Sequence, residues 1–351
     1  MSRRGQQTKK KSSLSSLPTP SPKIALITVG YGIAQRLLKH SMENPSDTFH
    51  LILACRNSIR AAVARESLLK DYPGNLIDIV TVDVSSVEVV FKSCKTIRER
   101  YDRIDLFFCN AGILQCDYVD WKFATIQAFL DPFSLLTKSE VVVQPIGKVT
   151  KEGLGETFAS NFFGHYIMIK ELEDLFISSS QGARIIWTSS MTPAKDDFVL
   201  EDFQCIKGKN PYESSKYIID ITSVALNLKL NKKSIHTFTT EPGIVATNIV
   251  RVHLGWLAAA AMYIAFYLGR FFGINEETIT SWNGSYSNYY VAITNPITLL
   301  NTSIKYGSRV KPLGDVYVNE DTIVDYDEEV SNALLNKLDG LFNDFKSKYQ
   351  E

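Results

Sequence analysis

The 351-residue chain lacks an excess of either charge, with 38 lysines and arginines against 38 aspartates and glutamates. Without a basic surplus there is no bulk electrostatic handle for nucleic acid, and no nucleic-acid partner is expected. Cysteine is scarce: Cys55, Cys94, Cys109, Cys116 and Cys205 form no C-x-x-C and no paired spacing. An odd, scattered set predicts reduced thiols rather than a disulfide framework. Five histidines with no H-x-x-x-H, and no cysteine cluster, offer no ligand set for zinc, so no metal is expected. The first residues lack the apolar core of a secretory leader, which argues against secretion. Residues 1–22 instead scatter Arg3, Arg4, Lys9, Lys10 and Lys11 among Ser, Gln and Pro. Such a stretch cannot bury enough surface to offset its ordering entropy and reads as a disordered basic tail. What is present is ordinary for a globular chain, 45% apolar and 22% charged residues, which excludes collagen, coiled coil and global disorder.

From Lys23 short apolar runs alternate with helical patterns. Residues 24–28, 50–55, 77–84, 104–109, 184–189 and 236–240 read as six strands. Val87, Val90, Phe91, Cys94 and Ile97 recur at spacings of three and four, and residues 153–176 and 212–231 read as further helices. Apolar strands alternating with helices predict an α/β fold, a doubly wound parallel sheet covered on both faces. Ligands of such a sheet sit at the carboxyl ends of its strands. Residues 115–150 are too apolar for a solvated connection, with Trp121, Phe123, Phe129, Phe133, Leu135, Leu136 and a run of valines at 141–143.

Chemistry is concentrated in Tyr212-Glu213-Ser214-Ser215-Lys216. Tyr and Lys at i and i+4 share a helix face, and a nearby ammonium lowers a phenol's pKa toward useful general acid–base work. Alone, the pattern fits an exposed polar face equally well. Its context differs: Asn110-Ala111-Gly112 closes one strand, Asn161 lies in the next helix, Ser189-Ser190 closes another strand, and Pro242-Gly243 with Thr247 follows the last. In this order the set resembles the short-chain dehydrogenase/reductase family over residues 23–250. Leu53-Ala54-Cys55-Arg56-Asn57, Asn161-Phe162-Phe163-Gly164-His165, Trp187-Thr188-Ser189-Ser190 and Leu200-Glu201-Asp202-Phe203 resemble its 3-keto-steroid reductase branch, that of the type 7 17β-hydroxysteroid dehydrogenases. The resemblance implies a Rossmann-type domain at 23–250 with an insertion at 115–150. Residues 251–351 would add a substrate loop, a membrane-associated hydrophobic segment and a C-terminal extension. It also implies that Tyr212 donates a proton, Lys216 lowers its pKa and holds the nicotinamide ribose, Ser190 polarises a ketone, and Asn161 positions a relay water. Ser190 and Tyr212 are 22 residues apart, longer than the family interval, because residues 196–209 insert locally.

A glycine-rich turn onto a helix amino terminus binds pyrophosphate. The family pattern is T-G-x-x-x-G-x-G; here the run is Thr28-Val29-Gly30-Tyr31-Gly32-Ile33-Ala34. It is shorter, Val29 displaces or replaces the first glycine, and Ala34 replaces the last. The turn is compensated, or the sequence is locally in error, or cofactor binding is weak or lost; the expectation is binding through Thr28, Gly30, Gly32 and Ile33. Arg56 ends the second strand where an NAD enzyme carries an acid, which favours the 2′-phosphate of NADP. Asp83, Asn110, Ala111, Gly112, Tyr212, Lys216, Pro242, Gly243 and Thr247 complete the expected cofactor set.

The resemblance implies a sterol or steroid substrate and an apolar pocket. Residues 254–269 form an uncharged segment about 24 Å long as a helix, short of the ~30 Å hydrocarbon core. One-sided attachment is expected, at the endoplasmic reticulum membrane with the catalytic domain cytosolic, beside other sterol-demethylation enzymes. The scaffold of such an assembly, or reduction of another lipid carbonyl, are the alternatives.

Overall fold

Successive side chains of a strand point to opposite faces, so a strand apolar at every position must be covered twice. β1 (Lys23–Thr28) obeys this: Ile24 and Leu26 enter one core while Ala25 and Ile27 enter the other. The computed structural model describes residues 21–131, 141–246, 256–323 and 325–349. β2 (Phe49–Cys55), β3 (Leu76–Thr81) and β4 (Leu106–Cys109) follow, then a small hairpin of β5 (Tyr118–Val119) and β6 (Val142–Val143). β7 (Ala183–Thr188), β8 (Ile235–Glu241), β9 (Ile304–Val310) and β10 (Val316–Thr322) complete the set. The main sheet runs β10-β9-β8-β7-β4-β1-β2-β3, with β10 antiparallel at one edge and every other pairing parallel. This is the doubly wound α/β fold expected.

One face is covered by helices Val87–Arg100, Gly164–Glu171, Pro211–Leu230 and Glu328–Tyr349, packed on Leu26, Phe107, Ile185 and Trp187. The other carries helices Tyr31–Glu43 and Tyr286–Ile293 over Ile27, Leu51, Phe108 and Phe238. Arg36 of the first of these stacks 4.0 Å above the Trp282 ring and donates to the Trp282 carbonyl at 2.7 Å.

Three features depart from the sequence reading. The helix expected over 153–176 is broken: Gly153 has φ +82°, and the helical pieces are Glu156–Phe158, a π-helical turn Ala159–Phe163, Gly164–Glu171 and Glu173–Ile177. Residues 304–322, placed by the sequence reading in a C-terminal extension, are hydrogen-bonded into the sheet as β9 and β10. In the 115–150 insertion, helix Trp121–Leu130 leaves its large apolar groups outside, Phe129 being 85% exposed. Residues 1–20 of the basic tail, and Phe133, Leu135 and Leu136, lie outside the described residues.

Candidate active site

Parallel pairing places the carboxyl ends of β1, β4, β7 and β8 on one edge, with Thr28 opposite Ala54, Cys109 opposite Trp187, and Thr188 opposite Thr240. The turns containing Gly30, Asn110–Gly112, Ser190 and Pro242–Gly243 therefore gather there. Thr28, fully buried, knits two of them together. Its hydroxyl lies 2.9 Å from the Phe108 carbonyl and accepts from the backbone N–H groups of Asn110 (2.9 Å) and Ala111 (3.1 Å). His165 Nε2 lies 2.8 Å from the same oxygen, and burial pushes this imidazole down to about 3, so it is neutral. Thr28 thus serves the scaffold. The Asn110 side chain donates to the Val29 carbonyl and accepts from Thr188 Oγ1 at 3.1 Å, joining β1, β4 and β7.

Helix Pro211–Leu230 starts with proline, which suits a first helical turn. Its cap residue Asn210 makes no capping bond. The Tyr212 N–H donates instead to Gln144 Oε1 at 2.9 Å, and Gln144 Nε2 donates to Glu213 at 2.6 Å. The insertion therefore caps the helix that carries Tyr212. Lys216 Nζ stands 5.4 Å from the centre of the Tyr212 ring and donates to the Thr188 carbonyl at 2.9 Å. The Ser190 side chain, whose Oγ lies 3.2 Å from Thr192 Oγ1, favours the ionised form of Tyr212.

Burial pushes Tyr212 up to about 12; Ser190 opposes this, and Glu213 and Glu241 add to it. The expected lowering of Tyr212 by Lys216 is not seen, because burial dominates the shift. Burial brings Lys216 down to about 8, Asp220 opposing and Lys305 reinforcing. Asn161 sits in the π-helical turn, a local form frequent at functional sites. Its Oδ1 accepts from Ile113 N at 2.7 Å, and its Nδ2 donates to the Ile113 carbonyl and to Ser215 Oγ, both at 3.0 Å. A Cβ on Gly112 would stand 3.0 Å from Asn161 Oδ1 and 3.9 Å from Lys216 Nζ, so this backbone lies directly against both.

The β1 turn has only two residues, Val29 and Gly30, before helix Tyr31–Glu43 begins. Val29 occupies the left-handed region, φ 48°, which favours glycine. The helix start has no side-chain cap, so its first N–H groups are available to an anion. Gly32 is buried against the other side: an added Cβ would meet the Ser281 carbonyl at 2.2 Å. Ile33 is a core residue. Arg56 is 77% exposed at the end of β2, its Nη1 3.9 Å from Asp83 Oδ2. Gly243, φ 67°, is packed against the Glu276 and Ser308 carbonyls, and its N–H donates to Glu241 Oε2 at 2.6 Å. Thr247 lies outside the described residues. An uncapped helix start, an exposed terminal arginine and a buried lysine along one sheet edge are a donor set that fits a dinucleotide phosphate.

Three residues of this site escaped the sequence reading, Gln144, Asp220 and Lys305, and His165 entered it only as part of a motif with no role given. Asp220 follows Lys216 by one helical turn, a spacing that places it on the same face. No sequence signal joins Lys305 to the site. Among the described residues no group of three or more His, Cys, Asp or Glu is placed to hold a metal.

The model of the short chain dehydrogenase family matches residues 23–256. The chain is 35% identical to human 3-keto-steroid reductase/17-beta-hydroxysteroid dehydrogenase 7 over 90% of its length and 92% of that protein's. It is 29% identical to the 3-keto-steroid reductase erg27 of Schizosaccharomyces pombe, covering 83% and 88% of the two chains. The L-sorbose reductase of Gluconobacter frateurii, solved with NADPH and L-sorbose, shares the fold at TM-score 0.57 and 16% identity, over 83% of this chain and 96% of that one. The chain is an oxidoreductase of the short-chain dehydrogenase/reductase family, on the branch that holds the 3-keto-steroid reductases.

Proposed function

We propose that the protein reduces a 3-keto sterol, or a 17-keto steroid, to the alcohol with NADPH. The observation that carries this reading is the meeting of Tyr212 with Ser190 and Lys216 at the carboxyl edge of the sheet. When bound, the nicotinamide supplies the hydride. The residues of the chain do the rest. Ser190 and Tyr212 receive the ketone oxygen, and as hydride arrival makes it an alkoxide Tyr212 passes it a proton. A phenol held at about 12 stays protonated at neutral pH, which suits an acid in reduction better than a base in oxidation. Lys216 then meets the phenolate charge and, with Asn161, opens a path for proton return. The first N–H groups of helix Tyr31–Glu43 would take the pyrophosphate, and Arg56 a 2′-phosphate. Asp83, Asn110–Gly112 and Pro242–Gly243 would line the remaining cofactor surface.

The test is NADPH oxidation by purified protein with a 3-keto sterol, the alcohol identified as product. Tyr212→Phe should lower the rate by about 10²–10⁴-fold and leave NADPH binding intact; a variant keeping half the rate would sink the assignment. The two-residue β1 turn, with valine in a glycine conformation, favours a second reading, a scaffold that has lost cofactor binding. Wild-type protein that fails to bind millimolar NADPH would promote it.

Attachment to one leaflet of the endoplasmic reticulum belongs to the same proposal. Helix Trp256–Phe271 exposes Ile264, Tyr267, Leu268 and Phe271 along one stripe, continued by Phe272. Among the described residues no helix is long and apolar enough to cross a membrane. Sterol-demethylation enzymes would be neighbours on that surface.

A further inference from the structure

Beside Tyr212 and Lys216 lies a second pair of buried charges that the reaction outlined above does not use. Asp220 Oδ2 is 2.5 Å from Lys305 Nζ, with 4% and 9% of the two side chains exposed. Lys305 Nζ also donates to the Ser190 carbonyl at 3.1 Å, while Lys216 Nζ holds the Thr188 carbonyl at 2.9 Å. Two lysines, one from helix Pro211–Leu230 and one from β9, thus grip the carbonyls on either side of Ser189. Lys305 lies beyond residues 23–256, the part matched by the family model. Buried ion pairs add little net stability over apolar packing, so this one calls for another reason to exist.

We propose that Asp220 and Lys305 are positioning residues: Lys305 holds the Ser190 backbone in register for the ketone, and Asp220 balances two crowded ammonium groups so that Lys216 keeps its charge. The proposal rests on the reading of Tyr212, Lys216 and Ser190 as catalytic. The groups around Lys216 are few. Tyr212 and Asp220 flank it on its own helix, neutral His165 faces it from helix Gly164–Glu171, and Lys305 faces it from β9. Glu241 of β8 lies within reach of Lys305 but is engaged by Arg309. Asp220 is therefore the carboxylate that steadies Lys216, and without it two ammonium groups confront each other.

The experiment is the pH dependence of kcat/KM for NADPH-driven ketone reduction, with a titration of the ¹⁵N-labelled lysine Nζ resonances of the protein without ligands. Wild type, Asp220→Asn, Asp220→Asn/Lys305→Met and Tyr212→Phe are compared. Asp220→Asn should move the alkaline limb, and the Lys216 titration, down by about one pH unit. The double variant removes one charge of each sign, so its limb should return to the wild-type position. Its kcat should still fall several-fold with KM little changed, because the Ser190 carbonyl has lost its donor. A wild-type limb and titration in Asp220→Asn, or an undiminished kcat in the double variant, would overturn the proposal. If Asp220→Asn does not fold, the double variant, which leaves no second ammonium facing Lys216, decides by its kcat. An active Tyr212→Phe would instead bring down the catalytic reading, whereas an inactive one with unmoved limbs removes only the positioning pair.

Discussion

Lys216 is the titrating group of the site within reach of working pH: burial holds it at about 8 while Tyr212 stands at about 12. If the ammonium is needed to receive the phenolate charge, kcat/KM for reduction stays level below pH 8 and declines above it. A profile level to pH 10 would mean that Lys216 titrates like an exposed lysine. Val29 presents a different residue-scale problem. A β-branched residue at φ 48° carries backbone strain of about 1–2 kcal/mol. Val29→Gly should raise stability by about 1 kcal/mol, measured as a higher denaturant midpoint at constant slope. An unchanged or lower midpoint would show that the turn holds valine without strain.

At the scale of elements, helix Tyr31–Glu43 lies against segment Ser281–Gly284 through the close approach of Gly32 to the Ser281 carbonyl and through Arg36 on Trp282. Gly32→Ala should force the helix away from segment Ser281–Gly284 and cost roughly 1–3 kcal/mol. Thermal unfolding at the wild-type temperature would contradict that seating. Helix Pro211–Leu230 depends similarly on Gln144. Removing a helix amino-terminal cap costs ~1 kcal/mol, so Gln144→Ala should lower kcat about fivefold through a loosened Tyr212. A loss confined to stability, with kcat intact, would limit Gln144 to the scaffold. The legible parts of the molecule follow from the same physics. β1, β2, β4 and β7 are continuous apolar runs, and Asn110, Ser190 and Pro242 close the strands they end. β9 was not legible because its sequence, Ile304-Lys305-Tyr306-Gly307-Ser308-Arg309-Val310, mixes apolar positions with two cations. Those cations are buried only because Asp220 and Glu241 await them on other elements, a fact that no local pattern carries. Gln144 was hidden for the same reason, as its partners lie on a helix that begins far along the chain.

At the scale of the whole molecule, helix Trp256–Phe271 exposes an apolar stripe. Each large apolar side chain removed from water contributes ~1.5–3 kcal/mol. Replacing Leu268, Phe271 and Phe272 by serine should therefore weaken binding to phospholipid vesicles by more than ~100-fold, measured by flotation. Undiminished flotation, or wild-type protein that does not float, would overturn the proposed attachment through this helix. The placement of β9 has a further consequence, for the order of events during synthesis. β8 is translated well before β9, yet Glu241 at its end is fully buried and meets its cation only when Arg309 arrives. Asp220 likewise waits for Lys305. A nascent chain that has emerged only as far as β8 holds every residue of the proton-transfer set, with Glu241 lacking Arg309 and Asp220 lacking Lys305. Such a chain cannot close the sheet at low cost, so the catalytic edge is completed by the last third of the protein to leave the ribosome.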